Sequence, residues 1–113
     1  MLSPAEEIRQ ARAESLLREV NERIADTAER LGGDDASFVC ECGNLECTHR
    51  LRATREEYED VRAGGARFML VEDHLEPRVE RVVEHRRRFT VVEKVRPRAR
   101  RLAERLDPRT RPR

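Results

Sequence analysis

The chain has 113 residues, which is the length of one domain with room for an additional segment. Charged residues make up 42% of it and hydrophobic residues 37%, with 4% aromatic residues and no Trp, so material for an apolar core is scarce. No stretch approaches the roughly 20 apolar residues of a membrane span. The start, MLSPAEEIRQ, is acidic where a signal peptide would be apolar. We therefore expect a cytoplasmic protein without a membrane partner, whose cysteines stay reduced.

The first predicted element is a long helix over residues 3–31. Ser3 can cap it, Pro4 suits the first helical position, and Glu6 completes a capping box. An apolar stripe at 3–4 spacing runs along it: Leu17, Val20, Ile24, Ala28 and Leu31, with Ile8 upstream. We expect this stripe to pack on the rest of the chain. The alternative is that so long a helix pairs with itself or with a partner protein.

A small α+β region is predicted to follow. Residues 37–53 are expected to be extended on both sides of a Gly-Asn turn. Thr54 then caps a short helix that ends at a Gly-Gly pair, with Tyr58 and Val61 facing inward. RFMLVE is the next predicted strand. Residues 77–95 are ambiguous between a helix with a strand and a β-hairpin, and the repeated VVE favours the hairpin because Val is β-branched.

Charge is divided unevenly along the chain. Residues 94–113 carry nine basic side chains against two acidic ones, a net charge of +7, and the remaining residues carry −6. Within this basic tail, Leu102 and Leu106 fit a short amphipathic helix, and the last residues, DPRTRPR, are expected to be disordered. An acidic body with an Arg-rich tail indicates an interaction tail, for which nucleic acid is one candidate partner. The alternative is a solvated chain end.

All three cysteines lie close together, in the stretch FVCECGNLECTH. Cys40, Cys42 and Cys47 follow a C-x-C-x4-C pattern. In a strand, Cys40 and Cys42 point to the same face, and the following turn can bring Cys47 back to them. Gly43 allows the backbone to bend close to an ion. Thiolates suit zinc, Cu(I) and iron–sulfur centres, and the pattern predicts a metal site, with structural zinc favoured.

Structural zinc needs a fourth ligand. His49 lies two residues beyond Cys47 and could close the site locally, whereas His74, in a predicted turn after a strand, would connect distant segments. His85 lies in an Arg-rich stretch and is expected to be solvated. Glu41 and Glu46 flank the cysteines; we expect them to be solvated loop charges, and the alternative is that one of them supports a ligand.

Enzyme signatures are missing from the sequence. It contains no H-E-x-x-H motif, no deaminase pattern, no P-loop and no G-x-G-x-x-G. The C-x-x-C spacing of redox proteins is also absent, and an iron–sulfur cluster would need four thiolates. These absences favour a non-catalytic role.

The cysteine motif and the segments after it resemble a family of small, uncharacterised actinobacterial proteins. The resemblance rests on the C-x-C-G-x3-C core and on EEYEDVRAG, RFMLV and ERVVEHRRRFTVVEK, and it covers about residues 14–94. The family often has an acidic residue at the position of His49 and keeps a histidine at that of His74, which implies His74 as the fourth ligand. Asp73 replaces the family's usual Gly. The family has no established activity, so it implies a site and no function.

The sequence thus predicts an α+β fold in three parts. Residues 1–33 form the long N-terminal helix, residues 37–95 form a small zinc-stabilised antiparallel β-region with one short helix, and residues 96–113 form a basic, partly disordered tail. The predicted function is that of a small regulatory or interaction module with a structural Cys3His zinc site. A thiol-based redox or metal sensor is the main alternative, and a zinc enzyme is a weaker one.

Overall fold

The computed structural model describes residues 2–110 and has the expected α+β fold. A long N-terminal helix is followed by two small antiparallel sheets and two short helices. In chain order the elements are α1 (Pro4–Arg30), β1 (Asp35–Val39), β2 (Arg50–Thr54), α2 (Arg55–Arg62), β3 (Arg67–Leu70), a single 3-10 turn (Glu72–His74), β4 (Glu80–His85), β5 (Thr90–Lys94) and α3 (Pro97–Arg105).

The helices begin where their capping residues predict. Ser3 and Glu6 form a complete capping box at the start of α1, and Thr54 and Glu57 form another at the start of α2. After α1, Gly32 takes a φ of +74°, a left-handed conformation that suits glycine. α1 has 27 residues, but in the part of the chain described neither it nor another helix is apolar enough to cross a membrane.

The strands form two separate sheets. β1 pairs with β2 in a register that runs from Asp35–Thr54 to Val39–Arg50. The second sheet has the order β3-β5-β4, and all its pairings are antiparallel. β4 and β5 are consecutive in the chain, which confirms the hairpin predicted for residues 77–95.

An apolar core lies between α2 and the sheets. The Phe38 ring stacks on the Tyr58 ring with centroids 4.6 Å apart and planes 7° from parallel. Tyr58 and Val61 face inward, as predicted. Other fully or nearly fully buried members are Cys40, Cys42, Leu51, Ala53, Phe68, Met69, Leu70, Phe89, Val91 and Val92. Both cysteines that begin the C-x-C motif are therefore part of this core.

The inward face of α1 is polar, contrary to the predicted apolar stripe. Its buried residues, which we call the polar interface, are Glu7, Ala11, Glu14, Ser15, Arg18 and Asn21. Of the predicted stripe, Val20 and Leu31 are exposed, while Ile24 packs against the edge of the apolar core. The prediction therefore holds for Ile24 and for Ile8, which packs near α3, and it was wrong for Val20 and Leu31. Buried charges occupy most of the inward face because they find partners on other elements.

Lys94 is the central partner of the polar interface. Its ammonium lies 2.5 Å from Glu14 Oε1 and 3.0 Å from Glu80 Oε2, and all three side chains are fully buried. Burial raises the pKa of Glu14 to about 8; Lys94 opposes this shift and Glu80 reinforces it. Two carboxylates around one ammonium thus favour retention of a proton in the interior.

Arg18 is buried, and no carboxylate of residues 2–110 lies at hydrogen-bond distance from it. Its guanidinium donates to the carbonyls of Gly65 and Ala103, both at 2.7 Å, and lies 4.6 Å from the centroid of the Phe68 ring. Burial lowers the pKa of Arg18. The charge is held by backbone dipoles and an aromatic face.

The amphipathic helix predicted in the C-terminal segment is confirmed as α3, with Leu102 buried and Leu106 partly buried. α3 packs against α1 through Ala99 and Leu102, and the buried carboxylate of Asp107 is paired with Arg62. Arg109 binds both Glu22 and Glu59 at 2.7 Å. The basic residues were predicted to form an interaction tail or a solvated chain end, but several pair with carboxylates of the acidic body. The part of the disorder prediction that concerns residues 111–113 lies outside the described residues.

Candidate metal centre

The three cysteines are brought together by the loop between β1 and β2, residues 40–49, which we call the metal loop. Its base continues the strand pairing, because the Cys40 amide donates to the His49 carbonyl at 3.3 Å. Gly43 turns the chain with a φ of +84°. The Cys47 amide then donates to the Asn44 carbonyl at 3.0 Å, which closes a tight turn. Cys47 is thereby folded back toward Cys40 and Cys42, as the spacing predicts.

The fourth member of the cluster comes from the 3-10 turn after β3. The His74 amide donates to the Val71 carbonyl at 2.8 Å, which holds this turn at the end of the strand. His74 Nδ1 lies 3.5 Å from Cys40 Sγ and 3.6 Å from Cys47 Sγ. The ligand atoms of Cys40, Cys42, Cys47 and His74 all lie within 4.8 Å of one another. The structure thus joins His74 to the three cysteines.

These distances fit a tetrahedral metal ion. Zinc–sulfur bonds of about 2.3 Å and zinc–nitrogen bonds of about 2.0 Å place a sulfur and a nitrogen ligand about 3.6 Å apart around a tetrahedral centre. The distances from His74 Nδ1 to the two sulfurs agree with that value. All three cysteines are free thiols, so the cluster is not already closed by a disulfide. Three thiols and one imidazole form a donor set that can hold a metal ion.

The other two histidines lie outside the cluster. His49 is exposed, and its ring stands edge-on to the ring of His74 with centroids 5.0 Å apart. His85 is exposed at the end of β4, with its Nδ1 3.5 Å from a carboxylate oxygen of Glu72. A local fourth ligand would have tied the metal loop only to itself. His74 instead joins the first sheet to the end of β3.

The cysteines have unequal surroundings. Cys40 and Cys42 are 2% and 6% exposed, whereas Cys47 is half-buried. Burial raises the pKa of the Cys40 and Cys42 thiols. The Val71 amide opposes the shift at Cys40 by donating to its sulfur at 3.3 Å, and the backbone of Asn44 does the same at Cys42. The two inner thiols therefore depend on a bound cation to be stable as thiolates.

Glu41 is a supporting residue of the centre, and the expectation of a solvated loop charge was wrong for it. Its side chain is fully buried and points away from the sulfurs, toward α1. One oxygen accepts from the Asn21 side chain at 2.7 Å, and the other accepts from the Met69 amide at 2.9 Å. Strand alternation places Glu41 opposite to Cys40 and Cys42, and this was the available signal. Glu46 is exposed, as expected.

Helix α1 supports the metal loop from behind. Asn21 makes two hydrogen bonds with the backbone of Val39, at 2.8 and 2.9 Å, next to the first cysteine. The Gln10 amide donates to the Cys42 carbonyl at 3.0 Å and to Glu14 at 3.1 Å. At Gly43 a Cβ would lie 2.8 Å from the end of the Gln10 side chain, so a larger residue would displace Gln10, and the positive φ also favours glycine. The polar interface and the metal loop are thus bound to each other.

Comparisons with protein-family models, with curated proteins and with solved structures find no match for this chain.

Proposed function

We propose that the protein is a small interaction module whose Cys3His centre binds zinc in a structural, non-catalytic role. One observation carries the proposal: two segments more than 25 residues apart in sequence bring three thiols and an imidazole nitrogen to tetrahedral spacing. Zinc suits mixed thiolate and imidazole ligands, and a cluster of iron and sulfide would need four thiolates.

A structural role follows from the number and position of the ligands. Four protein ligands complete a tetrahedral shell and leave no place for the water or substrate that a catalytic zinc requires. Cys40 and Cys42 belong to the apolar core, and His74 follows β3 of the other sheet. A bound ion would therefore connect the two sheets, which supplements a core poor in aromatic residues.

A protein is the partner class that we propose for the module. The outer face of α1 presents Leu16 and Val20, which are 52% and 36% exposed and lie one turn apart. This face suits a second copy of the chain or another protein. Nucleic acid is the less favoured partner, because Arg98, Arg100 and Arg109 of the basic segment are already paired with carboxylates.

Native mass spectrometry of the untagged protein, with elemental analysis of the same sample, tests the proposal. We expect one zinc per chain, lost under denaturing conditions. A matched pair of histidine variants then identifies the fourth ligand: His74→Ala should lose zinc to a chelator at least about tenfold more readily than the wild type, and His49→Ala should retain it. A stably folded protein with no metal and three titratable thiols would refute the proposal. The same spectra report whether the chain self-associates.

A further inference from the structure

The three thiols of the metal centre differ in their access to solvent. Cys40 and Cys42 are enclosed by the apolar core. Cys47 is half-buried, and it lies in a part of the metal loop where Leu45, Glu46 and Thr48 are exposed. A small reagent dissolved in water can therefore reach the Cys47 sulfur while the other two sulfurs remain covered.

The three sulfurs also differ in the hydrogen bonds that they accept. Val71 donates its amide to the Cys40 sulfur at 3.3 Å. Within residues 2–110, Cys47 Sγ has no backbone donor; its polar neighbours are His74 Nδ1 at 3.6 Å and the other sulfurs. An N–H···S bond withdraws electron density from a thiolate and weakens it as a nucleophile. Solvent access therefore favours reaction at Cys47 over both other cysteines, and the hydrogen bond to Cys40 disfavours Cys40 further.

We propose that the cluster is a peroxide-reactive thiol centre, in which Cys47 is oxidised first and Cys42 then forms a disulfide with it. This inference rests on the proposed function, since it concerns the same four ligands. The sulfurs of Cys42 and Cys47 lie within 4.8 Å of each other, and four residues separate the two cysteines in the chain. A Cys40–Cys42 disulfide would instead close a small, strained ring.

The chemistry needs a peroxide as the only co-reactant. The Cys47 thiolate attacks one peroxide oxygen, the O–O bond breaks, and hydroxide leaves, so that sulfur loses two electrons and becomes a sulfenic acid. The Cys42 thiolate attacks this sulfur, the S–S bond forms, and the S–O bond breaks with loss of a second hydroxide. Two of the three ligand thiolates are consumed. The ion is then left with one thiolate and one imidazole, which is too few to retain it.

Oxidation at this place would affect α1 as well as the metal. Gln10 binds the carbonyl of Cys42, and Gly43 is packed against Gln10 and Glu14. A disulfide between Cys42 and Cys47 would change the conformation of the turn between them. This change would shift the Cys42 carbonyl and Gly43, which are the two points of contact with α1. We therefore expect loss of the ion to be accompanied by loosening of the polar interface, measurable as faster amide hydrogen exchange in α1.

The test uses the full chain loaded with one zinc, hydrogen peroxide as the oxidant, and a chromogenic chelator to record zinc release. Samples taken during the reaction are alkylated, digested and mapped by mass spectrometry. We expect release to follow Cys47 oxidation, a Cys42–Cys47 disulfide as the product, and recovery of zinc binding after treatment with dithiothreitol and zinc. Equal loss of all three thiols, or a loaded protein that ignores peroxide, overturns the inference and leaves the proposed function intact. A chain that does not bind zinc contradicts both this inference and the proposed function.

Two histidine substitutions provide matched variants, because each leaves a Cys2His2 donor set. Cys47→His should keep zinc but release it to peroxide at least about tenfold more slowly than the wild type. Cys42→His retains the reactive thiol and should still be oxidised at Cys47. If the buried Cys42→His variant does not fold, the order of modification in the wild type decides the matter, and oxidation that begins at Cys40 or Cys42 contradicts the proposal.

Discussion

The apolar core and the polar interface enclose their side chains by different physical means. Around Phe38 and Tyr58, burial of hydrophobic and aromatic surface provides the stabilisation. Beneath α1, the buried groups are ions and amides, each held by a specific partner such as Lys94 for Glu14. An apolar contact tolerates small shifts, whereas a buried ion that loses its partner is strongly destabilising. The polar interface should therefore tolerate fewer changes of side chain than the apolar core. The apolar core should depend more on the metal centre beside it.

The largest effect is expected from removal of a core ligand. Cys42→Ser leaves three ligands and should lower zinc content and destabilise the fold by more than about 3 kcal/mol, since metal binding and folding are coupled. Elemental analysis and thermal unfolding measure the two effects together. The exposed His49→Ala serves as the control and should match the wild type. Unchanged zinc content and melting temperature in Cys42→Ser would remove the proposed dependence of the apolar core on metal.

The next effect concerns the charge at the centre of the polar interface. Lys94→Met keeps the length of the side chain but leaves Glu14 and Glu80 without their cation. We expect a loss of about 3–5 kcal/mol in the free energy of unfolding, measured in urea, because a buried pair is broken on one side only. Arg101→Met, on the exposed face of α3, is the control and should change stability little. If the two variants were equally stable, the polar interface would behave like a solvated surface.

A smaller effect should come from the contact between the two regions. Gly43→Ala places a methyl group against Gln10 at a positive φ, and we expect a cost of about 2 kcal/mol. Gly32→Ala is a matched control, because Gly32 also has a positive φ but has nothing within 4 Å of its Cβ position. It should cost only about 1 kcal/mol from the backbone. If both variants lost the same free energy of unfolding in urea, the contact between α1 and the metal loop at Gly43 would not contribute to stability.

The last effect, the smallest for a change of one pH unit, is a pH dependence that arises from Glu14. Its pKa is about 8 in the fold and near the ordinary 4.5 when unfolded. Between these values the folded state holds more protons, so this carboxyl makes the free energy of unfolding fall as pH rises, by at most about 1.4 kcal/mol per pH unit. Glu14→Gln lacks this contribution.

Unfolding of the wild type and of Glu14→Gln, compared at several pH values from 5 to 8, isolates the effect of Glu14. Metal binding itself strengthens with pH, and it cancels in the difference between the two proteins. We expect the stability of the wild type to decline relative to the variant across this range. If the free energies of unfolding of the two proteins changed with pH in parallel, Glu14 would be ionised across this range. The charge of Lys94 would then outweigh the effect of burial on the Glu14 carboxyl.

Local signals predicted much of the fold. The capping boxes at Ser3 and Thr54, the hairpin of β4 and β5, and the cysteine cluster all depend on residues close together in sequence. The inward face of α1 could not be predicted in this way, because Glu14 is buried only by virtue of Lys94, 80 positions later. A hydrophobicity pattern treats both residues as surface. Glu41 differs, because its alternation with Cys40 and Cys42 was a local signal for its orientation, although its partners, Asn21 and the Met69 amide, lie on other elements.

The arrangement of α1 beneath the last helix has a consequence for synthesis of the protein. A ribosome makes α1 first, yet α3 and Lys94, which cover its inner face, are made last. Had that face been a stripe of leucines, the nascent chain would expose an adhesive surface for the whole of translation. A face of Glu7, Glu14, Arg18 and Asn21 is well hydrated during this interval. The polar residues of α1 need specific partners in the finished fold. While the chain is unfinished, their hydration opposes aggregation.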